Sequence, residues 1–420
     1  MNQASFEFRS MSHRLLLCTL IAPRPDAPMQ GLYHVALGEE LVELGVTTHL
    51  FAPMVWLPPG AGLISNRFED RRRRGTRYAV GRLRVMAPRV LFVFNDWVRF
   101  WLAERFPRLV AWWFRRAVGR SLRAYLREFR PDQALVHGAM PWAGLVEREC
   151  GRAGIPYGII EHSWPDVMRL GVECSLTEFY AEALESARHV FTVSEVLADR
   201  LRHVAEGASV TRIENGAAIE VGDSFRIAAS CEGKRLLLCA THYYRRKGLE
   251  ELVEAFEAVA GEHPDAHLVL VTDAPQSLKV LVHDAKARDQ IEIRPLMKHV
   301  EVLAWMRHAE LFVLPSWEES FGVVFAEALV QGTPIVMSSS CGLAETLPLK
   351  RAGEAGDEAV GYVVVPQSVE SLKAVLSEAL ADPAGLERMG ELARELGESR
   401  FCWKEAAASI VRGLSDRSAA

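Results

Sequence analysis

The sequence predicts an α/β protein made of two successive Rossmann-like domains, and three observations carry this prediction. The chain has 420 residues, which exceeds one ordinary core and suits two domains of about 200 residues each. Short apolar runs alternate with amphipathic stretches, a pattern typical of βα units and parallel sheets. The alternation restarts after residues 216–232, which we interpret as the connection between the domains.

The first domain begins with a predicted buried strand at 15–22. The same run resembles the core of a signal peptide, but Pro23 follows it instead of a small-x-small cleavage site, so the strand is favoured. Apolar residues then recur at helical spacing from Tyr33 to Leu44, and Gly45 ends that helix. Further strands are predicted at 134–136, 158–160, 190–193 and 210–213.

The second domain repeats the scheme. Strands are predicted at 235–240, 267–272, 311–314 and 334–337, with an amphipathic helix over 249–259. The late amphipathic segment 401–413 is expected to cross back to the first domain. We therefore predict one domain over 1–218 together with about 401–420, and a second over 219–400.

Composition excludes several classes of protein. Hydrophobic residues make up 49% and charged residues 25% of the chain, as in ordinary globular proteins. The seven cysteines are scattered without a C-x-x-C pair, which argues against a disulfide framework or a zinc ribbon and fits a reducing cytosol. No apolar stretch approaches the ~20 residues that span a bilayer. These observations predict a cytoplasmic location.

Charge is distributed unevenly around a net value of −5. Residues 71–130 contain 17 arginines against three acidic residues, and 97–130 combines nine arginines with four tryptophans. Such a composition is typical of helices on anionic membrane surfaces; the alternative is an ordinary amphipathic helix pair with its aromatic residues in the core. Replacing Arg115, Arg116, Arg120 and Arg123 would distinguish the two. Binding to nucleic acid is not expected, since no nucleic-acid module accompanies the charge.

The segment 314–336 contains the residue pattern that is most informative about a ligand-binding site. A buried strand ends at Pro315, a turn carries Glu319, and a helix begins near Gly322 and ends at Gly332. The carboxyl ends of parallel strands face the ligand crevice. The amide groups and positive dipole end of the following helix suit a diphosphate, and Gly322 permits close approach of the backbone.

Two carboxylates in this segment are candidate ligand-binding groups. Glu319 lies in the turn and can accept hydrogen bonds from sugar hydroxyls, while Glu327 lies in the helix and can accept from a ribose. An isolated pair eight residues apart would be read as surface carboxylates. The strand–turn–helix–turn–strand context favours the functional interpretation.

Lys247-Gly248 follows another predicted strand. A lysine at the end of a strand-to-helix loop can meet a β-phosphate as a point charge, although alone it would be read as a solvated helix-start residue. No D-x-D pattern occurs, so a metal-dependent diphosphate site is not expected. Gly60-Ala61-Gly62 follows two prolines instead of a strand and is discounted as a dinucleotide fingerprint.

Glu319 and Glu327 in this context resemble the E-x7-E signature of the retaining glycosyltransferases of family 4. Other landmarks of that family occur in the expected order over nearly the whole chain: Gln30-Gly31, Pro131-Asp132 with His137, Val193-Ser194, Asn215-Gly216, Lys247-Gly248, Cys341-Gly342 with Glu345, Gly361–Pro366 and Phe401-x-Trp403. The resemblance implies the GT-B architecture, in which two Rossmann-like domains face each other across a cleft. It also implies metal-free sugar transfer from a nucleotide-diphosphate sugar with retention at the anomeric carbon.

The resemblance assigns roles to particular residues. It implies that Glu319 contacts the donor sugar, that Glu327 binds the ribose and that Lys247 meets the phosphates. It further implies that Gly31 lies near the donor phosphates and that His162 supports the reacting sugar, the alternative for His162 being a core histidine. The loop residues expected to join the donor site are Ser320, Phe321 and Gly322. His137 is interpreted as structural.

The chain departs from the family pattern at two points. Thr241-His242 stands where the family usually has an arginine, and Arg245 or Arg246 is the candidate to supply the missing charge. Glu214 replaces the proline of the linker motif. The first departure puts the phosphate-site geometry in question.

We therefore expect a metal-independent hexosyltransferase without a cofactor. Its acceptor is expected to be a sugar or a lipid-linked or polysaccharide precursor at the inner membrane face. Three alternatives stay open: an inactive nucleotide-binding protein of the same fold, a sugar-nucleotide epimerase, and a two-domain dehydrogenase.

Overall fold

The computed structural model describes residues 13–20, 22–23, 31–56, 76–91, 105–140, 142–162, 167–168, 170, 174–218, 231–283 and 285–415. The chain divides into two compact units. Unit 1 comprises Met1–Ile213 and Trp403–Ala420, and unit 2 comprises Glu214–Cys402. The divisions predicted from the sequence lie after residues 218 and 400.

Unit 1 is built on one large sheet, in which the described strands follow the order β10-β9-β8-β7-β1-β2-β5-β4. All neighbouring pairs are parallel except the β4–β5 hairpin. A second, two-stranded parallel sheet pairs β3 with β6. The strands are β1 Arg14–Cys18, β2 Thr47–Phe51, β3 Met54–Trp56, β4 Thr76–Val80, β5 Leu83–Ala87, β6 Arg89–Leu91, β7 Gln133–His137, β8 Tyr157–Glu161, β9 His189–Thr192 and β10 Val210–Arg212.

Helices cover the sheet of unit 1, and the interior strands are buried on both faces. In β1, Leu15, Leu16 and Leu17 are all buried, as expected for a strand covered by helices on both sides. Helix α1 begins after Gly31, whose φ of 67° is left-handed, and ends before Gly45 as predicted. The helices are α1 Leu32–Glu43, α2 Pro107–Phe129, α3 Ala143–Ala153, α4 Cys174–Glu185 and α5 Glu195–Val204.

The C-terminal helix α12, Trp403–Ser415, belongs to unit 1. Its apolar face packs into the core that α1 and β1 share. The Gln133 side-chain amide donates to the carbonyl oxygen of Leu414 at 2.8 Å. The predicted return of the C-terminal segment to the first domain is confirmed.

Unit 2 contains a six-stranded parallel sheet in the order β13-β12-β11-β14-β15-β16. Its strands are β11 Arg235–Ala240, β12 Ala266–Thr272, β13 Ile291–Pro295, β14 Leu311–Leu314, β15 Ile335–Ser338 and β16 Gly361–Val364. Its helices are α6 Leu249–Ala260, α7 Pro275–Val282, α8 His299–His308, α9 Val323–Val330, α10 Val369–Ala381 and α11 Pro383–Arg400. Two parallel-sheet α/β units confirm the predicted fold class. Among the described residues, no helix has both the length and the apolar character that crossing a bilayer requires.

Candidate functional site

The candidate site of unit 2 forms at the carboxyl ends of β11 and β14. The turn after β14 carries Glu319 and leads into α9, which begins after Gly322. Gly322 has a φ of 87°, and a Cβ there would approach Phe325 Cδ2 within 2.5 Å, so the turn requires glycine. Glu319 is fixed by its own backbone, because its carbonyl oxygen accepts from the Gly342 amide at 3.0 Å.

Lys247 and Glu319 form an ion pair between Nζ and Oε2, although they lie 72 residues apart in the chain. Their side chains are 13% and 20% exposed. Lys247 ends a short 3-10 turn, Arg245–Lys247, and the next residue, Gly248, has a φ of 71°. A Cβ on Gly248 would collide with the carbonyl oxygen of Pro315, so the lysine loop rests directly on the end of β14. The structure thus brings together two residues that were predicted from separate motifs.

The same two loops are joined by the backbone. The Trp317 amide donates to the Arg246 carbonyl oxygen at 2.7 Å. Arg245 lies over the Trp317 ring at 4.4 Å and pairs with Glu251 at 2.7 Å. Arg245 therefore already has an aromatic and an acidic partner within unit 2. Arg246, the other candidate for the missing family arginine, lies with its guanidinium 5.8 Å from the ring centre of Tyr244.

His242, which stands at the departure from the family pattern, has a defined partner. Its Nδ1 lies 3.0 Å from Oδ2 of Asp273, and Oδ1 of Asp273 accepts from the Tyr243 amide at 2.7 Å. Burial alone would raise the pKa of Asp273, but these hydrogen bonds outweigh it and lower the pKa. The loop that lacks the arginine is thus held by a carboxylate at the end of β12.

Glu327 has a partner that was not predicted from the sequence. Nε2 of His299 lies 2.7 Å from Oε1 of Glu327. The Glu327 side chain is 8% exposed and that of His299 is 27% exposed. The hydrogen bond to Glu327 raises the pKa of His299 against the opposing effect of burial. His299 opens α8 directly after the loop that follows β13, and this position is its only local signal.

The remaining predicted donor-loop residues differ in exposure. Phe321 is buried and packs edge-on against Phe401, with ring centroids 6.1 Å apart. Its side chain therefore supports the turn from within the unit. Ser320 is half-buried at the start of the turn.

Glu214, the other departure, is part of an ion pair inside unit 2. Its Oε2 accepts from Nε of Arg400 at 2.7 Å, and Arg400 Nη1 also donates to the carbonyl oxygen of Thr346 at 2.8 Å. The glutamate thereby fixes the first residues of unit 2 against the end of α11. This contact explains a charged residue at that position of the linker.

Unit 1 holds a cluster of aromatic and imidazole rings at the carboxyl ends of β1, β7 and β8. His34 and His137 meet edge-on at 4.1 Å between centroids, and His162 lies 6.1 Å from His137. Tyr33 contacts the His162 ring edge at 5.9 Å. Gly31 precedes these residues at the start of α1. The predicted residues Gly31 and His162 therefore lie at the same end of the unit 1 sheet.

Burial keeps these imidazoles neutral. It lowers the pKa of His162 to about 4 and lowers the pKa values of His34 and His137 well below their ordinary range. Both ring nitrogens of His137 are buried without a hydrogen-bond partner among the described residues. Nε2 of His34 pairs with the Thr19 hydroxyl at 2.7 Å. The cluster can offer neutral donors and acceptors, but not a positive charge.

The segment 97–130, which was predicted from its arginine and tryptophan content to lie on a membrane surface, is described only in part, because residues 97–104 lie outside the described residues. Helix α2 buries Phe114, Val118 and Leu122 in the core, which agrees with the amphipathic alternative for part of the segment. Trp112 and Leu109 remain exposed on its outer face. The membrane-surface prediction therefore concerns only the exposed outer face of this helix.

Comparison with known proteins identifies the family. Residues 30–221 match the model described as Glycosyltransferase Family 4, and residues 222–396 match Glycosyl transferases group 1. The chain is 32% identical over 182 residues to the D-inositol 3-phosphate glycosyltransferase of Xylanimonas cellulosilytica. That match covers 42% of this chain and 41% of the relative, so it spans less than half of either protein.

Solved structures share the fold over nearly the whole chain. One, described as trehalose-6-phosphate from E. coli bound with UDP-2-fluoro glucose, has a TM-score of 0.72 at 12% identity and covers 96% of this chain and 99% of that one. WaaG, a glycosyltransferase involved in lipopolysaccharide biosynthesis, has a TM-score of 0.63 at 15% identity and covers 96% and 100%. These likenesses show the GT-B fold. With both family models matched in chain order, the chain belongs to glycosyltransferase family 4.

Proposed function

We propose that this protein is a retaining glycosyltransferase that transfers a hexosyl group from a nucleotide-diphosphate sugar to a sugar or lipid-linked acceptor. The observation that carries the proposal is the Lys247–Glu319 pair beside the first turn of α9. A cation, a carboxylate and a helix N-terminus in one small volume can serve a diphosphate and the sugar attached to it. The solved structure of the same fold that is bound with UDP-2-fluoro glucose supports a donor of this class.

In this proposal Lys247 changes partners when the donor binds. It neutralises the charge that develops on the departing diphosphate, together with the amides at the start of α9. Glu319, released from the full ion pair, accepts hydrogen bonds from hydroxyls of the sugar. We infer that no metal ion is needed at the phosphates, because lysine and helix amides supply the positive potential. Glu327, oriented by His299, is proposed to bind the ribose.

Unit 1 is proposed to bind the acceptor. His162 stays neutral at physiological pH because burial lowers its pKa to about 4. It therefore acts by hydrogen bonding, and not as a cationic acid. Gly31 remains a proposed contact of the donor phosphates.

Calorimetric binding of UDP, GDP, ADP and dTDP in the presence of EDTA tests the donor site. We expect one nucleotide to bind, and Lys247→Ala to weaken it by about 10- to 150-fold, as for loss of a charge-assisted hydrogen bond of about 1.5–3 kcal/mol. Lys350→Ala is the matched control, because Lys350 and Glu378 form a similarly covered pair in the same unit, 18% and 29% exposed. Equal losses in both variants, or binding of no nucleotide, would refute the proposed site.

Turnover separates transfer from the alternatives. A transferase releases nucleoside diphosphate only with an acceptor, and NMR of the product should show the donor's anomeric configuration. An epimerase would convert the nucleotide sugar without an acceptor. An inactive binding protein would bind the nucleotide and turn over none of the acceptors.

We further propose that α2 brings unit 1 to an anionic membrane surface that carries the acceptor. Arg108, Trp112, Arg116 and Arg120 recur every fourth residue and are all exposed, so they form one outer stripe. The description of WaaG as a lipopolysaccharide enzyme supports a membrane-linked acceptor.

Co-sedimentation with vesicles of anionic lipid at low salt tests this stripe. Replacing Trp112, Arg116 and Arg120 by alanine should abolish binding, since each basic residue near the surface contributes about 1 kcal/mol. Replacing the exposed Arg351 and Arg388 of unit 2 should leave it unchanged. Wild-type protein that stays in the supernatant would rule the proposal out.

A further inference from the structure

Three potential metal ligands meet in unit 2, near the amino ends of β12 and β13. Cys231 precedes β11, His267 is the second residue of β12, and Glu292 is the second residue of β13. The parallel register pairs Val269 with Glu292, which places His267 and Glu292 on the same face of the sheet. Thiol, imidazole and carboxylate thus converge from three separate segments.

The spacing of the three ligand atoms fits a tetrahedral ion. Sγ of Cys231 lies 3.2 Å from Oε2 of Glu292, and Nε2 of His267 lies 3.7 Å from the same oxygen. All three atoms lie within 4.8 Å of one another. Bond lengths of about 2.0–2.3 Å at a tetrahedral angle separate ligand atoms by roughly 3.3–3.6 Å. Both distances to the carboxylate oxygen lie within about 0.1 Å of that range, and the thiol–imidazole distance is at most 4.8 Å.

Hydrogen bonding within the protein does not account for the whole cluster. The Cys231 thiol donates to Glu292, but His267 Nε2 is buried and has no hydrogen-bond partner among the described residues. At 3.7 Å the carboxylate is too far to be that partner. His267 is only 7% exposed and Cys231 1%. An ion at the centre would satisfy the imidazole nitrogen.

The carboxylate is already oriented for this role. Oε1 of Glu292 pairs with Arg294, whose guanidinium is held 4.8 Å from the ring centre of Trp305. This leaves Oε2 directed toward the thiol and the imidazole. Such outer partners commonly fix the orientation of ligating groups.

We propose that Cys231, His267 and Glu292 bind one Zn²⁺-type divalent ion per chain. Binding would release the thiol proton to solvent, and the thiolate and carboxylate would balance the two charges of the ion. Three protein ligands leave a fourth position for water.

The proposed ion is distinct from the donor site. Thr272, at the other end of β12, lies five residue steps from His267, which corresponds to about 17 Å. The donor loops follow the carboxyl ends of the strands, whereas this cluster lies near their amino ends. The ion would tie the segment before β11 to the β12–β13 edge of the sheet, and it takes no part in sugar transfer.

Titration of the tag-free, reduced, chelator-treated full chain with Co²⁺ tests the proposal. We expect a cobalt–thiolate charge-transfer band in the near ultraviolet and intense visible bands of tetrahedral cobalt. Both should saturate at one equivalent and disappear on addition of Zn²⁺. Cys231→Ser should lose the charge-transfer band, while Cys402→Ser, which removes a thiol outside the cluster, should retain it.

Further variants protect the test against misfolding of the serine variant. His267→Gln should weaken Co²⁺ binding at least about tenfold, and Lys247→Ala should not change it, so this result is independent of the donor-site proposal. Absence of the charge-transfer band in the wild type would overturn the proposal. Its persistence in Cys231→Ser, or unchanged affinity in His267→Gln, would do so as well.

Discussion

The His299–Glu327 pair predicts an unusual response to pH. The hydrogen bond to Glu327 raises the pKa of His299, so the folded protein binds this proton more tightly than the unfolded chain. The stabilisation is fully present below the unfolded pKa of about 6.5 and is lost as pH rises through the raised folded pKa. Glu327→Gln should therefore lower the pKa of His299, since burial, which opposes protonation, then acts without the carboxylate.

The geometry sets the magnitude. Unit charges about 4 Å apart at an effective dielectric constant of 20 attract by about 4 kcal/mol. Desolvation of a pair that is 8% and 27% exposed reduces the net value to about 1.5–3 kcal/mol, as for other charged hydrogen bonds. A double-mutant cycle of His299→Gln and Glu327→Gln in urea should recover this coupling at pH 6. The coupling should fall as pH rises through the raised pKa of His299, because a neutral imidazole keeps the hydrogen bond without its charge.

NMR titration of the imidazole resonances provides the direct measurement. His299→Gln identifies the resonance among those of the 13 histidines. His308, which bonds a backbone carbonyl in the same helix, serves as the internal control in Glu327→Gln. If the His299 resonance titrates at the same pH in wild type and Glu327→Gln, the pair carries no such coupling and the reasoning fails.

Two further predictions concern backbone strain and buried histidines. Gly248→Ala should destabilise unit 2 by about 1–3 kcal/mol and weaken nucleotide binding, because its Cβ would collide with Pro315. Gly353 has a similar φ of 80° but open space around it, so Gly353→Ala should cost only backbone strain and keep the nucleotide affinity. Unit 1 should lose stability below pH ~6.5, by about 1.4 kcal/mol per pH unit for each histidine that stays neutral when folded. His137→Phe should reduce this slope in thermal melts relative to wild type, in which His34, His137 and His162 contribute. An unchanged slope would contradict the assignment.

The turn that carries Glu319 was predictable because its determinants are local. An apolar run, a glycine at positive φ and a closing Gly-x-Pro fix the strand, turn and helix without help from the rest of the chain. The observed β14, α9 and β15 follow that prediction within one or two residues. The observed strand β13, Ile291–Pro295, was not predicted from the sequence, for a related reason. Its I-E-I-R-P alternation is typical of a half-covered edge strand, whereas the predicted strands are mostly continuous apolar runs.

Contacts between segments that are distant in the chain could not be predicted from the sequence. Lys247 and Glu319 were each predicted, but their ion pair depends on the close packing of Gly248 against Pro315. His299 was missed entirely, because a histidine in the first turn of a helix is unremarkable until α8 packs against α9. The β4–β5 hairpin was also missed, since its alternating residues lie inside a segment that was read for its charge.

The folded structure changes the interpretation of the positive charge of the segment 71–130. Several arginines of the basic segment pair with acidic residues: Arg77 with Glu128, Arg82 with Glu39 and Glu43, Arg108 with Glu182, and Arg123 with Glu149. Most of these acids lie outside 71–130, so the local excess in sequence overstates the positive potential of the folded surface. This pairing weakens the inference from the composition of 71–130 to an anionic partner. The inference now applies to the basic residues that remain exposed.

The choice of variant for the membrane test follows from this pairing. The replacement suggested by sequence alone included Arg123, but Arg123 donates twice to Glu149, whose carboxylate is almost fully covered. Removing it would leave a buried carboxylate whose remaining arginine partners among the described residues, Arg148 and Arg152, lie at 3.8 and 3.7 Å. Loss of vesicle binding in that variant could then arise from damage to the α2–α3 packing. Arg116 and Arg120 lie on the exposed stripe, so a loss confined to their replacement reports on the surface itself.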